Sequence, residues 1–209
     1  MKNFNFISAV LIFSCFTTEV LAASITLDTR SINAGVNSLD YKASWSAQSS
    51  AITSQSLADV NGAFGGSQAF SYLKIDFSTM ASSWDFQIAP DAGFGGALYL
   101  DNQLIDHDSS NLWWGYVWSN SSELLASSAN IMMAGDHVLE AFWAEDCCNG
   151  SMGGRFSVDG GKQWQNLSVA NLNQFAIPSP DAAWLIALGL LALGYVKSKE
   201  SDSTRAATC

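Results

Sequence analysis

Every second residue is apolar in SYLKIDF, residues 71–77, which puts Leu73, Ile75 and Phe77 on one face. Successive side chains of a strand point to opposite faces, so this alternation buries an apolar surface as a half-buried strand and not as a helix. The same period returns in WDFQI, residues 84–88, with Trp84, Phe86 and Ile88 against Asp85 and Gln87. GGALYLDNQLIDHD reads as a hairpin: a strand over Ala97 to Leu100, a turn at Asp101-Asn102 and a return beginning at Leu104. MAGDHVLEAFWAE gives a turn at Gly135-Asp136 before a strand from His137 to Trp143, and GRFSVDGGKQW turns at Asp159 to Gly161 between two more strands. No segment between Ser24 and Asn173 carries a convincing helical period. Many short strands joined by Gly, Asn and Asp turns predict an all-β fold, an antiparallel β-sandwich of jelly-roll type.

The two ends have a different character. MKNFNFISAVLIFSCFTTEVLAAS begins with Lys2, runs apolar from Phe6 to Phe16 and steps down to Leu21-Ala22-Ala23. That is the order of a secretory signal peptide, so residues 1–22 are expected to form a signal helix cut after Ala22. At the other end Pro178-Ser179-Pro180 precedes AAWLIALGLLALGYV, residues 182–196, followed by Lys197, Lys199 and Arg205. Its fifteen residues fall short of the roughly twenty that span a bilayer, a difference that snorkelling lysines can make up. The expected organisation is a signal peptide over 1–22, an exported domain over 23–177 and a tail over 178–209 with an apolar helix at 182–196. Prolines, an apolar helix with Gly189 and Gly194, then basic residues: this order resembles the PEP-CTERM sorting signal of Gram-negative bacteria. The resemblance implies an exosortase-type processing enzyme as partner, the membrane as a further partner through the C-terminal helix, and residence at the cell envelope or surface. Ser179 stands where that signal usually has Glu, and ESDSTRAATC follows the basic residues. A simple membrane anchor and a buried core helix are the other readings of the segment.

The formal net charge is −10, and residues 23–180 hold fifteen acidic and five basic side chains, so the exported domain carries all of it. Nucleic acid and anionic lipid surfaces are poor partners for such a domain. Of the four cysteines, Cys15 falls in the signal segment and Cys209 beyond the apolar helix, which leaves Cys147 and Cys148 in EDCCNG. Outside the cytoplasm they are expected to bond to each other, to another chain or to a metal. Neighbouring Cα atoms sit about 3.8 Å apart, whereas ordinary disulfides prefer roughly 4.4–6.8 Å. A bond between neighbours closes almost no loop, so it shapes a turn without stapling the fold. A zinc set would have to borrow carboxylates, since the only histidines are His107 and His137.

GGALYLDNQLID, a Trp-rich stretch and AGDHVLEAFWAE, within residues 93–158, are similar in order to the central part of PA14-type sandwiches. That resemblance implies a PA14-like β-sandwich and carbohydrate binding. Several such domains use calcium held by consecutive acids in a loop that here reads Asp91-Ala92-Gly93, so calcium is not carried over, and no cofactor or metal is expected. The combination of Cys147, Cys148 and Gly150 with the acidic β domain and the tail resembles the CCXG family of PEP-CTERM proteins, which supplies no activity.

LWWGYVW, residues 112–118, packs Trp113, Trp114, Tyr116 and Trp118 into seven positions. A strand would alternate them between core and surface and leave at least one ring exposed as a stacking platform. Trp113, Trp114 and Trp118, with Glu145, Asp146 and Asn149 beside the cysteines, are the candidate ligand-binding residues. Gly150 is expected to let the chain leave the turn. Asp106-His107-Asp108 reads as a solvated polar loop, with a cation held by the carboxylate oxygens as the alternative. No nucleophile elbow, zinc-protease or phosphate-loop motif occurs; a carboxylate pair such as Asp85 and Asp91 is the type that serves glycoside hydrolysis, but fifteen acids make some such pairing inevitable. The expected function is non-enzymatic binding of a glycan, such as an exopolysaccharide, or of another extracellular polymer. A self-associating envelope protein is the alternative, and a secreted carbohydrate-active enzyme the third.

Overall fold

A computed structural model describes residues 22–177. The predicted signal helix, the Pro178-Ser179-Pro180 motif and the apolar helix at 182–196 lie outside the described residues. Twelve strands are present: β1 (Ser24–Ser31), β2 (Thr53–Ser56), β3 (Ala69–Thr79), β4 (Ser82–Ala89), β5 (Asp91–Ala92), β6 (Gly96–Leu100), β7 (Gln103–Asp108), β8 (Leu112–Trp113), β9 (Leu125–Met132), β10 (Gly135–Ala144), β11 (Gly153–Ser157) and β12 (Gln165–Asn166). They form a six-stranded sheet in the order β2-β1-β3-β10-β6-β7, a four-stranded sheet in the order β12-β11-β4-β9 and a small β5-β8 ribbon. All pairings are antiparallel.

The period-two pattern sets the register. Ile25, Ile75, Leu139 and Leu100 align across four strands, as do Leu27, Leu73, Ala141 and Leu98, and all eight are buried. The opposing sheet contributes Trp84, Phe86, Ile88, Leu125 and Phe156 to the same core. Phe77 bridges the layers, its ring 5.3 Å from Trp84 and 6.2 Å from Phe86. Each such side chain adds about 1.5–3 kcal/mol on burial, so the core between the sheets dominates the cohesion of the domain. His137 joins this row beside Phe77, with Nδ1 2.6 Å from an Asp101 carboxylate oxygen and Nε2 2.8 Å from the Met133 carbonyl, a structural role.

The second face of the six-stranded sheet is covered by α1 (Tyr41–Ala47). Tyr41, Phe70, Ala97 and Phe142 pack there with Trp45 and Tyr72, the Tyr72 and Phe142 rings stacked at 4.4 Å. A second short helix, α2 (Val169–Leu172), closes the described chain. Both depart from the expectation of no helix between Ser24 and Asn173. They are too short to display a helical period, and their local signal is the cap: Asp40 accepts from the Ala43 N–H and Ser168 from the Asn171 N–H. The Asp101-Asn102 turn has positive φ at both residues, the geometry of a tight hairpin, as its sequence predicted. Asp106 to Asp108 belong to β7, not to a loop: Asp106 accepts from the Ala126 N–H, Asp108 from the Ser110 N–H, and His107 meets the Ser38 carbonyl.

Two crossovers between the sheets lie at the same end of the sandwich. One runs from β4 through β5 to β6, the other from β10 through residues 145–152 to β11. The register enforces this, because Ala89 pairs with Gly153 and Gly96 with Trp143. Backbone bonds from Phe94 N to Ala144 O (3.0 Å) and from Ala144 N to Gly95 O (3.3 Å) tie the crossovers together. Gly95 has φ of +76°, and a Cβ there would fall 2.2 Å from the Asp108 carbonyl, so this corner requires glycine.

Candidate functional site

The two crossovers and the β8 turn enclose an open cavity of about 550 Å³. Its lining comes from β5 (Asp91), the approach to β8 (Asn111), β8 itself (Trp113), the following turn (Tyr116) and residues 145–150. Cys147 and Cys148 are bonded to each other, with Cα atoms 3.8 Å apart. Their disulfide forms part of the cavity wall, in the same lining as Trp113 and Tyr116. Of the three fates open to these cysteines, bonding to each other is the one the structure contains.

Carboxylates organise the loop. Glu145, 4% exposed, accepts from the Gly93 N–H through one oxygen and from the Cys147 N–H through the other, both at 2.8 Å. Burial pushes its carboxyl above the ordinary range; the two N–H groups oppose that, while Asp91 and Asp146 add to it. Asp91 accepts from the Gly150 N–H. The closeness of that approach explains Gly150, because a Cβ there would lie 2.6 Å from Asp91 Oδ2 and 2.8 Å from its Cγ. Gly150 has no positive φ, so space and not backbone conformation demands it, a correction to the expected role. Asn149 reaches the other way, its Oδ1 accepting from the Gly66 N–H at 3.0 Å.

The candidate residues separate. Cys147, Cys148, Trp113, Glu145, Asp146 and Asn149 line one cavity; Trp114 and Trp118 do not. Trp114 is 7% exposed and packs with Ala89 and Leu124, and Trp118 lies against it at 4.5 Å with Arg155 over its ring. Strand alternation does not extend through LWWGYVW, since β8 ends at Trp113 and both Gly115 (φ +58°) and Tyr116 (φ +63°) are left-handed. That turn swings Tyr116 outward, 63% exposed, with its hydroxyl 2.9 Å from Ser151 Oγ. Trp113 is 58% exposed, and its backbone N–H donates to Glu123 Oε2 at 2.7 Å. Tyr116, Asp91 and Asn111, none of them among the six expected binding residues, join the site; Gly115 was the available sign of a turn. Glu145 is held as a scaffold carboxylate and not as a free hydrogen-bonding group.

Glu145, Asp146 and the Cys147 sulfur fall within 4.8 Å of one another, which is the spacing of a metal set. Both Glu145 oxygens already accept N–H groups, the Asp146 carboxyl makes a side-chain hydrogen bond with Glu145, and the sulfur is in a disulfide, so the three are engaged with one another and with the loop backbone. Asp85 and Asp91, the acid pair considered for glycoside hydrolysis, line separate cavities, Asp85 beside Trp164 on the outer face of the four-stranded sheet.

No known family's sequence model matches the chain, and no curated protein does. Solved structures do. The PA14 sugar-binding domain from an RTX adhesin aligns over 72% of this chain and 97% of its own, with a TM-score of 0.52 and 9% identity. The fold is PA14-like. The PA14 domain of the antifreeze protein MpAFP aligns over 73% of this chain and 90% of its own, with a TM-score of 0.50 and 12% identity. At these identities the PA14-like likeness concerns the arrangement of strands, and the chemistry of the cavity must be argued from its own residues.

Proposed function

We propose that this chain is an exported, non-enzymatic binding protein whose PA14-like sandwich recognises a glycan, such as an exopolysaccharide, at the cavity walled by Cys147-Cys148. One observation carries the reading. Trp113 and Tyr116 present two exposed rings at the mouth of a cavity that also offers Asp91, Asn111 and Asp146, the mix of apolar faces and hydrogen-bonding groups that sugar rings require. A neighbour described as a sugar-binding domain supports it. Export and retention belong to the same proposal. The N-terminal segment is a cleaved signal peptide, and the tail is a PEP-CTERM-type sorting segment of a CCXG protein, which holds the domain at the envelope and is handled by an exosortase-type enzyme.

Glycan-array binding followed by titration calorimetry tests the reading. Trp113→Ala should weaken binding at least tenfold while the circular dichroism spectrum stays unchanged. Equal affinity in the variant overturns it. Deleting 182–209 should move the protein into the soluble fraction, and unchanged fractionation would remove the anchoring part alone.

Self-association has its own support. Met80 and Met133, on adjoining turns, and Ile131, near the end of β9, are exposed at the opposite end of the sandwich. Sedimentation velocity of the protein and of Ile131→Ser distinguishes this reading.

A further inference from the structure

The cavity has aromatic and sulfur walls, three carboxylates and no basic residue in its lining. The five basic side chains of the described residues are engaged elsewhere. Lys42 pairs with Glu140 at 2.6 Å and Lys74 with Asp76 at 2.7 Å. Arg30 donates to the carbonyls of Trp45 and Ser50. Arg155 is held between the rings of Trp118 and Trp164, at 4.5 and 4.3 Å, and Lys162 sits beside Asp159. Backbone N–H groups answer Glu145 and one oxygen of Asp91, but they carry no net charge to balance the cluster. Asp146 lines the cavity as an exposed residue beside Glu145, with which it shares a side-chain hydrogen bond.

Exposed Trp and Tyr rings attract a cation through their negative faces, and a carboxylate binds an ammonium by charge-assisted hydrogen bonds. The same lining repels an anionic sugar such as a uronate and gains nothing from an acetylated amine. We infer that the unit this cavity accepts is a protonated amino sugar, presented by a polymer whose amino groups are free. The inference rests on the glycan-binding reading and names its ligand class. Trp113 and Tyr116 stack on the sugar, and Asp146 with the free oxygen of Asp91 receives the ammonium.

The test compares β-linked glucosamine oligomers, their fully N-acetylated counterparts and oligouronates on the same protein, with and without EDTA. Glucosamine oligomers should bind on the order of tenfold more tightly than the acetylated ones, the ratio that about 1.4 kcal/mol of charge-assisted bonding gives. Oligouronates should not bind. Asp146→Asn should reduce the preference toward unity while leaving the acetylated oligomer within about twofold. Trp113→Ala, which retains every charge, should abolish it, separating this site from general attraction to an acidic surface. Equal binding of free and acetylated oligomers, dependent on Trp113, overturns the inference and leaves the glycan reading standing. Amino-sugar binding indifferent to both substitutions, or abolished by EDTA, also overturns it. If no saccharide binds at all, both readings fall.

Discussion

Replacing Gly150 by alanine tests whether the cavity loop is held by close approach to Asp91. The added Cβ would sit 2.6 Å from Oδ2, 2.8 Å from Cγ and 3.1 Å from Cβ of Asp91. Two responses are open. Either the methyl is compressed against the carboxylate, an overpacking cost of about 1–3 kcal/mol, or the loop withdraws and loses a hydrogen bond to a charged group worth about 1.5–3 kcal/mol. The chain takes the cheaper route, so the costs do not add. Alanine also restricts the unfolded chain, which returns about 0.4–1 kcal/mol where φ is compatible, as it is here. The net destabilisation should be about 1–2 kcal/mol. For a domain of this size that lowers Tm by roughly 2–8 °C. Urea unfolding of wild type, Gly150→Ala, Asp91→Ala and the double variant closes a cycle. Without the Asp91 carboxylate the two closest atoms are gone, so Gly150→Ala should then change stability by less than about 0.5 kcal/mol. An equal cost in both backgrounds would refute the steric argument.

Three further outcomes follow from the same geometry. Trp114→Ala should cost about 3–5 kcal/mol and Trp113→Ala less than about 0.5 kcal/mol, by urea unfolding, because one ring is buried and the other is not. Converting Cys147 and Cys148 to Ser should destabilise by clearly less than the roughly 2–5 kcal/mol of a typical small secreted domain, since the bond closes no loop; non-reducing mass spectrometry should find the wild-type pair two hydrogens light and unalkylated. Glu145 binds its proton more tightly folded than unfolded, so its contribution is full below its ordinary value of 4.5 and is lost as pH rises through the higher folded value. Stability measured by urea unfolding against pH should fall less steeply over that window in Glu145→Gln.

How much of this was legible in the chain differs by element. The alternation in residues 71–77 and 84–88 determined which faces of β3 and β4 are buried, because a strand's side-chain period is fixed at two whatever it pairs with. Asp101-Asn102 likewise determined its own hairpin. The two short helices escaped because four to seven residues carry less than two helical turns, and only their capping residues mark them.

The site divides along the same line. Sequence alone placed Cys147 beside Cys148 and put Glu145, Asp146 and Asn149 next to them, since covalent neighbours cannot separate. It could not choose among Trp113, Trp114, Tyr116 and Trp118, because that choice depends on where β8 ends and on two left-handed residues after it. Nor could it bring Asp91 to Gly150 across fifty-nine positions. Only the tertiary structure decided that, by pairing Ala89 with Gly153 and Gly96 with Trp143, so that both crossovers emerge at one end of the sandwich and their loops meet. Local periodicity determines which side of a strand is wet; the order of strands in the sheets determines which wet loops share a cavity.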